Sequence, residues 1–204
     1  LWIAHRGAGK LAPENTLAAF RLGAQHGYRA FECDVKLSSD GLPFLLHDAT
    51  LDRTSNARGV AGDKPWAELS LVDAGTWHSH AYAGEPLPTL DDVAAFCHAG
   101  GHALNIEIKP TPGSERHTGE VVARHAERLW AGRATPPLLS SFQADALEVA
   151  VARVAVPGID ADHFRTLRRE VDETRSVQAG KTEHHFAGVE VIHERVGALT
   201  SWLL

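Results

Sequence analysis

Short apolar runs recur along this chain between stretches of helical periodicity. Residues 2–4, 30–35, 43–47, 103–108, 137–141 and 189–193 read as strands. Behind Asn15 or Thr16, either of which can cap a helix, Leu17, Phe20 and Ala24 fall at helical spacing. Residues 90–98 repeat this behind Thr89, and residues 119–129 carry the same period. Strand and helix in alternation predict an α/β fold.

The alternation breaks at residues 49–88, where Gly59, Gly62, Pro65, Gly75, Gly84, Pro86 and Pro88 interrupt any regular pattern. A segment that long without a strand predicts a small, loop-rich functional insertion after the third strand. Residues 165–181 are polar and charged with little periodicity, which predicts a solvated helix or loop.

Composition narrows the class. With 204 residues, 44% apolar and 23% charged, the chain fits a single domain over 1–204. Its longest apolar runs are strand-sized, far below the roughly 18 residues of a membrane helix, so no stable membrane insertion is expected. A formal net charge of −6 argues against nucleic acid as a partner. Leu1-Trp2-Ile3 opens no secretory signal pattern. A cytoplasmic location is the expectation, with periplasm or secretion as alternatives. Methionine is absent even at position 1, which suggests a processed chain or a start before Leu1. Cys33 and Cys97 lie in apolar patterns and are expected to be buried free thiols.

The candidate chemistry begins at Ala30-Phe31-Glu32-Cys33-Asp34-Val35. Period-two alternation puts Glu32 and Asp34 on one face and Phe31, Cys33 and Val35 on the other. Two carboxylates roughly 7 Å apart on a buried strand repel unless a cation neutralises them. Hard oxygen donors suit Mg²⁺, Ca²⁺ or Mn²⁺, and no Cys/His spacing supports zinc. A simple salt-bridged pair is the plainer alternative.

Asp40-Gly41, between two apolar runs, is a two-residue hairpin signal. Such a turn places Asp34 opposite His47, about 5 Å away on the same face. A histidine beside a carboxylate can serve as general acid or base. His5-Arg6-Gly7 follows the first strand, where reactive groups collect in parallel α/β folds. In Asn105-Ile106-Glu107-Ile108-Lys109-Pro110, Glu107 and Lys109 share a face, adding a third carboxylate and an ammonium. Three carboxylates, two imidazoles, an arginine and a lysine suit a phosphate ester. His78, His80, His184 and His185 stand in polar loop contexts and are expected to be structural or exposed.

Taken together, Ile3-Ala4-His5-Arg6-Gly7, Pro13-Glu14-Asn15-Thr16, Glu32-Cys33-Asp34-Val35, His47-Asp48 and Glu107-Ile108-Lys109 resemble the glycerophosphodiester phosphodiesterases. Leu51-Asp52-Arg53-Thr54-Ser55-Asn56 and Gly84-Glu85-Pro86-Leu87-Pro88-Thr89-Leu90 resemble that family's insertion, so the likeness runs to Phe142. The resemblance implies a TIM-type (β/α)8 barrel. At 204 residues the chain sits near the lower limit for eight units, so a barrel incomplete at its C-terminal end is the alternative.

The resemblance further implies Glu32, Asp34 and Glu107 as metal ligands, His5 and His47 as the acid/base pair, and Arg6 and Lys109 as phosphate contacts. Glu14 and Asn15 are expected to brace the site by capping a helix. The implied reaction is metal-dependent hydrolysis of glycerophosphocholine, glycerophosphoethanolamine or a similar small molecule to glycerol 3-phosphate and an alcohol. Attack by the substrate's neighbouring hydroxyl, through a cyclic phosphate, fits two flanking histidines. The alternatives are a related phospholipase C- or D-type barrel acting on intact lipids, and a degenerate barrel that binds without turnover. An oligomer is compatible with either.

Overall fold

The computed structural model describes residues 2–153. Five strands, β1 (Ile3–Ala4), β2 (Ala30–Leu37), β3 (Pro43–Leu45), β4 (Ala103–Ile108) and β5 (Leu138–Ser140), form one sheet. Four of them run parallel in the order β1-β2-β4-β5, and β3 pairs antiparallel with β2. Helices α1 (Leu17–Gln25), α3 (Leu90–Gly100), α4 (Glu115–Leu129) and α5 (Ala144–Arg153) separate or follow the parallel strands. The single-turn helix α2 (Trp66–Leu69) lies in the insertion. This is the strand–helix order of a TIM-type barrel, with four parallel strands among the described residues.

The two faces of the sheet do different work. Phe31, Cys33 and Val35 of β2 and Ile106 and Ile108 of β4 join a core with Phe20, Val93 and Val122 from the helices. Glu32, Asp34 and Lys36 turn to the other face. That side is also buried, because Phe44, Leu46, Leu51, Leu69 and Leu87 build a second apolar cluster under the insertion. Residues 49–88 carry only α2 and two short 3-10 turns, Ala61–Asp63 and His80–Tyr82. Cys33 and Cys97 are free and buried.

Capping follows simple chemistry. Thr16, not Asn15, caps α1, its hydroxyl accepting from the Ala19 N–H. Thr89 and Asp92 form a reciprocal capping box at α3. Gly23 lets α1 approach the loop after β1, since a Cβ there would lie 2.2 Å from the Gly7 carbonyl oxygen. That contact seats the His5-Arg6-Gly7 turn.

The hairpin departs from its expected register. Ser38 pairs with Leu42, and the turn holds three residues, with Gly41 left-handed at φ +82°. Val35, Lys36 and Leu37 therefore face Leu45, Phe44 and Pro43, and the Leu46 N–H donates to the Asp34 carbonyl. Asp34 does not stand opposite His47. One extra turn residue shifts the partner by one position, and His47 falls past the end of β3. The expected strand at 189–193, the polar stretch 165–181 and the closing part of the barrel lie outside the described residues.

Candidate functional site

Register assembles the acidic cluster. In the β2–β4 pair Asp34 stands beside Glu107, and Glu32 sits two residues earlier on the same face. One oxygen from each of Glu32, Asp34 and Glu107 lies within 4.8 Å of the others. Asp34 is wholly buried and Glu32 nearly so.

Glu32 and Asp34 are each held through one oxygen and left open at the other. Asp34 Oδ2 accepts from Asn15 Nδ2 at 2.8 Å and lies 3.1 Å from Arg6 Nε. Glu32 Oε2 accepts the Arg6 backbone N–H at 2.9 Å and stands 3.9 Å from His5 Nε2. Glu32 Oε1, Asp34 Oδ1 and Glu107 Oε1 are buried without a hydrogen bond. Lys109 Nζ approaches two of these as an ion contact, 2.6 Å from Glu107 Oε1 and 3.7 Å from Asp34 Oδ1. Burial, then the Asp34 charge, with Glu107 adding to it, pushes the Glu32 carboxyl up to about 8. Three hard carboxylate oxygens without hydrogen bonds, within 4.8 Å of one another, are the donor set a divalent cation takes, with Arg6 and Lys109 beside them. The cluster could hold such an ion.

The groups around it come from loops. Arg6 adopts φ +52° and Asn15 φ +58°, left-handed conformations that cost an arginine about 1–3 kcal/mol. The turn lets Arg6 point its N–H at Glu32, its Nε at Asp34 and its Nη1 at Glu14, 2.8 Å away. Asn15 grips Asp34 twice, donating from Nδ2 and accepting the Asp34 N–H on Oδ1 at 3.1 Å. Glu14 and Asn15 thus brace the site by direct contact, not by capping α1. Asn15 can do so because its amide carries both donor and acceptor.

His5 is half-exposed beside Glu32; burial, then Arg6, lowers its pKa. Its field also includes Asp34, Glu14 and His47. His47 Nδ1 lies 2.8 Å from Asp48 Oδ1. The Asp48 carboxyl is held well below the usual range, chiefly by the Arg53 guanidinium. It is an acceptor only, so His47 Nδ1 donates to it.

Three further residues belong to this surrounding. Lys36, buried on the carboxylate face, donates to the Lys109 carbonyl at 3.0 Å, and burial lowers its ammonium to about 8. The signal for it was present, two residues after Asp34 on the same strand. Phe142 sets its ring 5.1 Å from Lys109 Nζ. Arg53 joins Glu14 to Asp48. Among the described residues no helix is long and apolar enough to cross a membrane.

A family model described as the glycerophosphoryl diester phosphodiesterase family matches residues 5–199. The chain belongs to the glycerophosphoryl diester phosphodiesterase family. A glycerophosphodiester phosphodiesterase of Caldanaerobacter subterraneus subsp. tengcongensis is 42% identical over 109 residues, 53% of this chain and 45% of that protein. The chain spans about half the length of the first curated relatives it matches. Among solved structures, an Oleispira antarctica phosphodiesterase in complex with the product sn-glycerol-3-phosphate aligns with TM-score 0.73 and 33% identity. That alignment covers 87% of this chain and 80% of the other. A glycerophosphodiester phosphodiesterase from Agrobacterium tumefaciens aligns with TM-score 0.65 and 33% identity over 74% of this chain and 61% of that one. These family neighbours share the TIM-type barrel.

Proposed function

We propose that this chain hydrolyses glycerophosphodiesters, such as glycerophosphocholine or glycerophosphoethanolamine, to glycerol 3-phosphate and an alcohol. The observation that carries the reading is the convergence of Glu32, Asp34 and Glu107 at neighbouring strand positions, each with one buried oxygen free of hydrogen bonds. Family membership and the product named for the Oleispira relative support the substrate class. The three carboxylates would hold a divalent cation, Mg²⁺ or Ca²⁺, with Mn²⁺ a third candidate. Bound there, the cation would supply positive charge to the phosphoryl oxygens.

The remaining steps fall to side chains. Arg6 and Lys109, already anchored to the carboxylates, present positive charge to the phosphate. One imidazole of the His5–His47 pair takes the proton of the glycerol 2-hydroxyl as its oxygen attacks phosphorus. The other gives a proton to the departing alcohol, leaving a cyclic phosphate. Water then adds to phosphorus, losing its proton to the second imidazole, while the first returns its proton to the 2-oxygen. The product is glycerol 3-phosphate and both histidines are reset.

The test compares substrates. Incubated with Mg²⁺ or Ca²⁺, the full chain is expected to release glycerol 3-phosphate from glycerophosphocholine, with no release of phosphorylated head group or phosphatidic acid from phosphatidylcholine vesicles. Turnover of the intact lipid alone would assign the site to a phospholipase. Tight binding of glycerophosphocholine without product would make it a binder.

A further inference from the structure

Arg53 opens the insertion, away from every strand, yet its guanidinium grips two carboxylates at once. Nε and Nη2 donate to Asp48 Oδ2 and Oδ1 at 2.7 and 3.0 Å, and Nη1 and Nη2 donate to Glu14 Oε2 and Oε1 at 2.8 Å each. Each carboxylate holds one further group. Asp48 Oδ1 accepts from His47 Nδ1 at 2.8 Å, and Glu14 Oε1 accepts from Arg6 Nη1 at 2.8 Å. Arg6 Nε in turn lies 3.1 Å from Asp34 Oδ2. An unbroken chain of charged contacts runs from the His47 imidazole to the buried acidic cluster.

Half-exposed ion pairs are ordinarily worth little. A double fork is a different object, because it fixes two carboxylates in position as well as in charge. Without the guanidinium, Glu14 and Asp48 are neighbouring like charges that repel, and the orienting bond to His47 loses its support.

We propose that Arg53 is a positioning residue for the phosphodiester reaction: it holds Asp48 against His47 and Glu14 against Arg6. The insertion thereby sets the acid/base geometry without touching the reacting atoms. The inference rests on the hydrolase reading above, and the test separates the two.

The full chain with Mg²⁺ is assayed as wild type, Arg53→Ala, Arg53→Lys, Asp48→Asn and the Arg53→Ala/Asp48→Asn double variant. Arg53→Ala is expected to lower kcat about 10- to 100-fold, the range typical of groups that orient a site from behind it, with KM changed by less than about threefold. Arg53→Lys keeps the charge but not the fork and should recover little. In the Asp48→Asn background the Arg53→Ala loss should be clearly smaller than in the wild type, since the route to His47 is already cut and only the route through Glu14 and Arg6 remains. Independently of turnover, ¹⁵N-labelled histidine should show a slowly exchanging His47 Nδ1 proton, assigned by its absence in His47→Ala, that disappears in Arg53→Ala. Near-UV circular dichroism identifies a variant that fails to fold, and Arg53→Lys then carries the comparison. Wild-type kcat in Arg53→Ala, additive losses, or an unaltered Nδ1 resonance would overturn the proposal. If the wild type releases no product, the hydrolase reading falls, and the resonance alone decides whether Arg53 holds His47.

Discussion

His47→Ala is expected to lower kcat about a thousandfold while leaving cation affinity within about twofold of wild type. The reason is the separation of tasks in the site. His47 lies past the end of β3, held through Nδ1 by Asp48, whereas the acidic cluster stands on β2 and β4. No hydrogen bond links the imidazole directly to Glu32, Asp34 or Glu107. Its removal should take away proton transfer and leave the carboxylates as they are. Steady-state kinetics together with calorimetric titration of Mg²⁺ check this. Turnover at the wild-type rate would remove the acid/base role, and a large loss of affinity would make His47 part of the cation site instead.

Asp34→Asn should do the opposite and weaken cation binding itself, by about a hundredfold or more. Asp34 is wholly buried, and its Oδ2 already serves Asn15 and Arg6, so Oδ1 is its free donor. An amide removes the charge. It also risks setting an N–H₂ against Arg6 or Lys109, donors facing a donor with no water to relieve them. Whichever way the amide turns, either Asn15 and Arg6 or Lys109 faces an N–H₂ in place of an oxygen, so fold stability should fall by about 1–3 kcal/mol as well. Calorimetric titration and a denaturant midpoint measure the two effects. Unchanged cation affinity would exclude Asp34 as a ligand.

How much of this was written in the chain depends on the distance over which each signal acts. Strand β2 was legible because a period of two is local: Phe31, Cys33 and Val35 against Glu32 and Asp34 fix both faces. The cap at Thr89 and the run that follows it were equally local. The hairpin register was not, because Asp40-Gly41 is compatible with loops of two or three residues, and Gly41 at φ +82° closes the longer one. His47 lies past the end of β3 and not across from Asp34, though its charge still acts on His5. That Glu107 sits beside Asp34 required the β2–β4 register, a contact between residues 73 apart in sequence.

The same limit explains the bracing residues. Glu14 and Asn15 read as a helix start, and the cap turned out to be Thr16 because Asn15 takes a left-handed conformation that swings its amide onto Asp34. Arg53 stood in a recognisable loop motif, but its two carboxylate partners lie 39 residues before it and 5 before it, and only the fold brings them to one guanidinium. Lys36 was visible on the right face of the strand; its burial needed the insertion's own apolar cluster above it.

On the proposed reading, a divalent cation held by Glu32, Asp34 and Glu107 is required for phosphodiester hydrolysis. Release of glycerol 3-phosphate from glycerophosphocholine, followed before and after EDTA treatment and again after Mg²⁺ or Ca²⁺ is restored, tests it most directly. Activity is expected to disappear with chelation and return with the ion, and not to return in Asp34→Asn at the same ion concentration. Activity undiminished after chelation, with the ion removed to below stoichiometric levels, would contradict it.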